Sequence, residues 1–199
     1  MTDKISDLMN LMNKNWIYEV IITTKNSDGT IRAAPMGIFT PDSERIILEI
    51  YKTSKTAGNL IRSREFIINL VSDVELFRNA VMLKELKFRD LHLNNCSWLE
   101  MNVEKVVEEG EKIKIYSKIT GYEILSDDYE LINRAKYLAF ESIIKFTKPD
   151  LSKARDEIYE NLRVIKRVAP GSKYEKIVGG ILREIKNNDD FTSFKHLFV

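Results

Sequence analysis

The spacing of apolar residues changes once along the chain, near Ser126, and that change limits the fold more than any other feature. Before it, short apolar runs repeat every second residue between turn residues, the period of a pleated strand. After it, they recur every third or fourth residue, the period of a helix. The pattern predicts a β-rich part, residues 1–125, followed by a helical part, residues 126–199.

In the first part, Trp16, Tyr18, Val20 and Ile22 fall on one face of a strand and Ile17, Glu19, Ile21 and Thr23 on the other. Ser27-Asp28-Gly29 supplies a turn in which Gly29 is free to take positive φ, so residues 30–39 return as a second strand. Residues 44–51 and 65–71 read as further strands, with a helix over 53–62 between them behind a Thr/Ser cap. Residues 73–86 read as a helix, 88–95 as an irregular loop, and 98–107 with 112–125 as a long hairpin around Glu109-Gly110. Six strands around one or two helices close into a small barrel. The tail carries three apolar stripes, which start at Leu131, Leu151 and Tyr174 and are separated by Pro149-Asp150 and Pro170-Gly171-Ser172.

Composition removes several function classes. With 31 Lys or Arg against 30 Asp or Glu, the net charge is +1, without the basic excess that releases counterions from duplex nucleic acid. No apolar run approaches the ~20 residues needed to span a bilayer, and residues 1–15 lack a secretory pattern, so a cytoplasmic protein without a membrane segment is expected. One cysteine, Cys96, and two histidines, His92 and His196, make no metal spacing, and no metal site is expected. Each of the three reads as a packing or surface residue.

Two stretches carry chemistry. In Ala33-Ala34-Pro35-Met36-Gly37-Ile38, Pro35 removes a ladder donor and Gly37 a side chain, which leaves a place where something flat can approach the backbone. A bulge or an edge position accounts for the same residues. In Tyr51-Lys52-Thr53-Ser54-Lys55-Thr56-Ala57-Gly58-Asn59, hydroxyls and ammonium groups gather at a helix start, a place suited to phosphate, while an ordinary N-cap with solvated lysines explains the same residues and by themselves they favour it.

Together with 16–24, Asp28-Gly29, Glu65-Phe66-Ile67-Ile68-Asn69, Trp98, Asn133-Arg134-Ala135, Glu141 and Thr147, these stretches resemble the DUF447 family of archaeal proteins, within the FMN-binding split barrels of the flavin reductase type. The resemblance implies a six-stranded split β-barrel followed by a C-terminal helical region packing on the barrel or dimer, and a homodimer holding FMN near its interface. It implies a phosphate site at Ser54, Lys55 and Thr56 with Lys52 or Arg32 nearby, and a ring along Ala34, Pro35, Met36, Gly37 and Ile38. Tyr51 and Asn59 belong to the same cofactor set. Asn69 is the hydrogen-bonding candidate at the ring, or else a capped strand end or a buried amide satisfied by backbone.

The family commonly has an Asn where this chain has Arg32, and a His and an Arg around Thr147 where it has Lys145 and Lys148. The function implied is a flavin-dependent oxidoreductase of unknown substrate that uses NAD(P)H or another reductant. A non-catalytic flavin binder or electron relay with a helical docking tail is the alternative, and F420 or haem stands open in place of FMN.

Overall fold

Alternation along residues 18–25 builds the first wall of the core. In β1 (Tyr18–Lys25), Tyr18, Val20 and Ile22 point into the main core, while Ile21 joins a second cluster on the opposite face. The computed structural model describes residues 3–42, 44–82, 84, 86–125, 131–147 and 151–187. β1 turns into β2 (Ile31–Phe39) through residues 26–30, where Gly29 has φ +85°, Gly29 N–H donates to Asn26 O at 3.0 Å and Asn26 N–H to Thr30 O at 2.8 Å. This is a type I turn closed by a left-handed glycine.

The remaining elements of the first unit are α1 (Asp3–Leu11), β3 (Ile46–Tyr51), α2 (Lys55–Ser63), β4 (Glu65–Leu70), α3 (Val74–Val81), β5 (Phe88–Arg89), β6 (His92–Leu93), β7 (Ser97–Glu109) and β8 (Lys112–Glu123). Six strands close an antiparallel barrel in the order β1-β2-β3-β8-β7-β4. Its interior holds Ile38, Leu48, Phe66, Ile68, Leu99 and Ile115, none more than 1% exposed. Each such side chain contributes about 1.5–3 kcal/mol by leaving water. Leu8, Met9 and Met12 near α1 and Ala57 and Leu60 of α2 join the same core. Tyr18 Oη accepts from Asn13 N–H at 2.8 Å, and Asn59 Nδ2 donates to Thr24 Oγ1 at 3.0 Å, so α1 and α2 meet opposite ends of β1.

One seam is short. β2 pairs with β1 over eight residues but with β3 only at Ile38↔Leu48 and Phe39↔Ile47. Bonded pairs alternate in an antiparallel ladder, so the Asn26–Thr30 bond sets Arg32, Ala34, Met36 and Ile38 as the residues bonded toward β1. The backbone groups of Ala33, Pro35 and Gly37 face the other edge, where β3 has diverged. Pro35 therefore forfeits no bond to β1.

Several expectations need correction. Residues 3–11 form a helix that the apolar spacing did not indicate, and 88–95, expected as a loop, contain the two-stranded β5–β6 ribbon. Leu131 packs against the barrel core instead of starting the first tail helix, and Ile132 O accepts from Glu19 N–H at 2.8 Å. On the outer face of β1, Ala80, Leu93 and Cys96, with Phe77 and Phe88 beside them, pack over Ile21 and Ala33.

The chain folds as two compact units, Met1–Ile132 and Asn133–Val199. The second contains α4 (Arg134–Phe146), α5 (Leu151–Val168) and α6 (Lys173–Asn187). Asn133 caps α4 by accepting from Ala135 N–H at 2.9 Å, and its Nδ2 donates to Val168 O at 2.9 Å, joining the start of α4 to the end of α5. The aromatic residues Phe191, Phe194 and Phe198, with His196 and Lys148, lie outside the described residues.

Candidate functional site

Helix α2 starts where the sequence places a cap. Ser54 has φ −73° and ψ 142°, and its Oγ accepts from Ala57 N–H at 3.1 Å. Lys55 and Thr56 then occupy the first helical turn, whose leading N–H groups have no helical acceptor. Lys55 is exposed, and Thr56 is buried with its Oγ1 accepting from Arg32 Nε at 3.4 Å. One strand end of β2 thus delivers a guanidinium to the helix start.

Other expected residues are held differently. Lys52 extends to Glu108 at 2.8 Å on the β7–β8 hairpin, and that hydrogen bond holds the Glu108 carboxyl below its ordinary range. Tyr51 is exposed, with Lys112 Nζ 5.4 Å from its ring centre. Asn59 donates to Thr24 and Asn26 and accepts from Arg62 at 3.1 Å, which ties α2 to β1. Asn69 is fully buried; its Nδ2 donates to Ile21 O at 3.0 Å and Thr23 Oγ1 at 3.2 Å, and its Oδ1 accepts from Leu93 N–H at 2.8 Å. Both of its donors are used inside the fold.

On β2, Met36 and Ile38 point into the barrel and Ala34 shares their face, so only Pro35, Gly37 and the strand edge are available outside. The space over Gly37 is taken: a Cβ there would stand 2.6 Å from Ile17 Cγ2.

A cleft of about 260 Å³ opens beside Arg32 between β2, α3 and the side chains of Lys84, Leu86 and Phe88. Its polar lining is Arg32, Lys84, Asn26 and Asn79; Ile31, Leu86 and Phe88 form apolar wall. Asn79 Oδ1 is buried without a hydrogen-bond partner. Asn26 also accepts from Asn59 of α2 at 2.8 Å, so two cleft residues are tied to that helix. Sequence reasoning missed Asn26, Asn79 and Lys84, which no motif marks and which only the packing of α3 on β2 brings together. A second groove, about 480 Å³, lies over β4 and β7 and includes Glu65, His92 and Glu100, but none of the expected cofactor residues.

The family described as "Protein of unknown function (DUF447) N-terminal domain" matches residues 18–126, which contain the whole barrel from β1 to β8. The chain belongs to the DUF447 family. Among solved structures, the FMN-bound DUF447 protein MM1853 from Methanosarcina mazei is 18% identical over 89% of this chain and 99% of its own, with a TM-score of 0.53. The NADH:FAD oxidoreductase SgcE6 of Streptomyces globisporus is 10% identical over 59% of this chain and 79% of its own, TM-score 0.49. Flavin reductase HpaC is 16% identical over 62% and 88%, TM-score 0.45. The likeness to MM1853 establishes a shared fold. Among the described residues, no helix is long and apolar enough to cross a membrane.

Proposed function

We propose that this DUF447 protein binds FMN, with the phosphate at the start of α2 and the ring beside the open edge of β2, and that it acts as a flavin-dependent oxidoreductase. The observation that carries the reading is the contact of Arg32 Nε with Thr56 Oγ1 at 3.4 Å. It sets a guanidinium and a hydroxyl beside Ser54, the Lys55 ammonium and two helix N–H groups that lack helical acceptors. Those donors fit a phosphate monoester, for which charge-assisted hydrogen bonds and a helix N-terminus are the usual means of binding. The outward-facing backbone of Ala33, Pro35 and Gly37 offers donors and acceptors to the polar edge of a flat ring, and Pro35 offers it an apolar surface. The FMN-bound family member MM1853 supports FMN as the ligand.

A bound flavin supplies hydride or single-electron transfer. The chain's part is to anchor the phosphate through Lys55 and Thr56, the latter held in place by Arg32 Nε, and to keep β2 in register by its pairing with β1. Asn69 acts one strand away, fixing Ile21 and Thr23 of β1 and Leu93 of the covering ribbon, and so keeps the wall behind β2 in place. Two copies sharing the site along the exposed side of β2 complete the proposal.

Anaerobic addition of NADH or NADPH to the FMN-saturated protein tests the oxidoreductase reading. Loss of the yellow absorbance, with its return in air, is expected. Full occupancy with no bleaching by either donor would overturn reduction by nicotinamide and leave a flavin carrier.

A further inference from the structure

We propose that the cleft between β2 and α3 is a second subsite, separate from the phosphate place at α2, for a small molecule with an anionic group on a flat apolar body. The inference rests on the flavin reading only in giving the α2 side of Arg32 to the cofactor.

Charge is the first argument. Among the described residues, Arg32 and Lys84 both line the cleft, no carboxylate does, and neither of the two forms an ion pair with a carboxylate. This differs from the hairpin surface, where Lys52, Lys112, Lys114 and Lys118 each meet a glutamate. Two cations facing one cavity repel each other, and an anion between them reverses the sign of the interaction. Arg32 spends its Nε on Thr56, which leaves the forked end of the guanidinium to grip a carboxylate or phosphate with two donors.

Asn79 lines the cleft and fixes the place of Lys84. Its backbone carbonyl accepts from Lys84 N–H at 3.0 Å, which folds residue 84 back against the end of α3 and keeps it at the cleft.

The walls define the rest of the ligand. Ile31, Leu86 and Phe88 give the cleft an apolar wall, which favours an apolar face over a bare inorganic ion. At about 260 Å³ the cleft suits one ring with its substituents. Such a molecule would lie against the same strand as the proposed flavin, as a substrate or product of the bound cofactor does.

Calorimetric titration of the FMN-loaded protein with phenyl phosphate, benzoate and phenol tests this, in the wild type and in Lys84→Gln. At least one anion should bind tenfold or more tightly than phenol, and the tighter of the two identifies the head group. Lys84→Gln should weaken that anion tenfold or more while changing phenol and FMN affinity less than twofold. Phenol binding as tightly as both anions, or no effect of Lys84→Gln, would overturn the subsite. Displacement of FMN by the anions, or a tenfold loss of FMN in Lys84→Gln, would assign the cleft to the flavin and overturn its separateness. Should the protein take up no FMN, the same titration of the FMN-free protein separates the two ideas: Lys84-dependent anion binding would sustain the subsite while the flavin reading fails.

Discussion

Replacing Gly37 by Ala puts a methyl where the fold already has one. The new Cβ would stand 2.6 Å from Ile17 Cγ2 and 3.9 Å from a carboxylate oxygen of Glu19. Carbon atoms rest about 3.5–4.0 Å apart, so one of the pair must retreat by roughly 1 Å. Ile17 is β-branched and stiff at χ1, so its γ2 methyl cannot swing aside at little cost. Overpacking of this kind costs about 1–3 kcal/mol, and each kcal/mol lowers Tm by roughly 2–4 °C in a protein of this size. Ile17→Ala removes the clashing methyl, so in that background Gly37→Ala should cost less than about 0.5 kcal/mol. Urea unfolding of the four proteins in this cycle should therefore give a favourable coupling of about 1–3 kcal/mol. Additive effects would refute the close-packing account of Gly37. FMN titration of the same four proteins adds a second reading: a double variant that recovers stability but still binds flavin poorly would place the cofactor against this glycine.

Three further predictions concern the frame of the site. Asn69→Ala should destabilise by about 2–4 kcal/mol in urea unfolding, since Ile21 O and Leu93 N–H lose their buried partner; a loss under 0.5 kcal/mol would contradict the role given to this amide. Arg64→Gly should stabilise by roughly 0.5–1 kcal/mol by relieving φ +60° at the end of α2 while keeping the Val103 N–H bond to residue 64, and a lower Tm would contradict it. The Thr30 hydroxyl and then its N–H hold the Asp28 carboxyl below its ordinary 3.8, so its contribution to stability is complete above that value and is lost as pH falls through the lowered one. Asp28→Ala should flatten the acid limb of a Tm-against-pH curve below about pH 4; an unchanged limb would contradict the assignment.

Where local pattern decides structure, the sequence was readable. The two faces of 16–23, the Asp28-Gly29 turn and the Ser54 cap appear as expected, because each depends on residues only a few positions apart. Helix α1 was hidden because its buried residues, Leu8 and Met9, fall within a short polar stretch, with Met12 just beyond its end. The β5–β6 ribbon has two residues per strand, too few for a period, and is held by distant partners: Thr23 Oγ1 donates to Leu91 O at 2.5 Å and Asn69 accepts from Leu93. The family motifs led to the Arg32 and Thr56 region, but the sequence could not say that Ile17 covers Gly37 or that Lys52 turns to Glu108. Those contacts depend on register and twist, which one-dimensional spacing does not encode. Lys84 and Asn79 meet Arg32 only because α3 packs on β2.

The central claim is that the start of α2 holds the phosphate of FMN, and comparing FMN with riboflavin tests it most directly, because the two ligands differ only in that phosphate. Charge-assisted hydrogen bonds are worth roughly 1.5–3 kcal/mol each, so FMN should bind the wild-type protein at least tenfold more tightly than riboflavin. Replacing Lys55 and Thr56 together by Ala should remove most of that preference while leaving riboflavin affinity nearly unchanged. Equal affinity of the wild type for both ligands, or equal losses for both in the variant, would contradict the account.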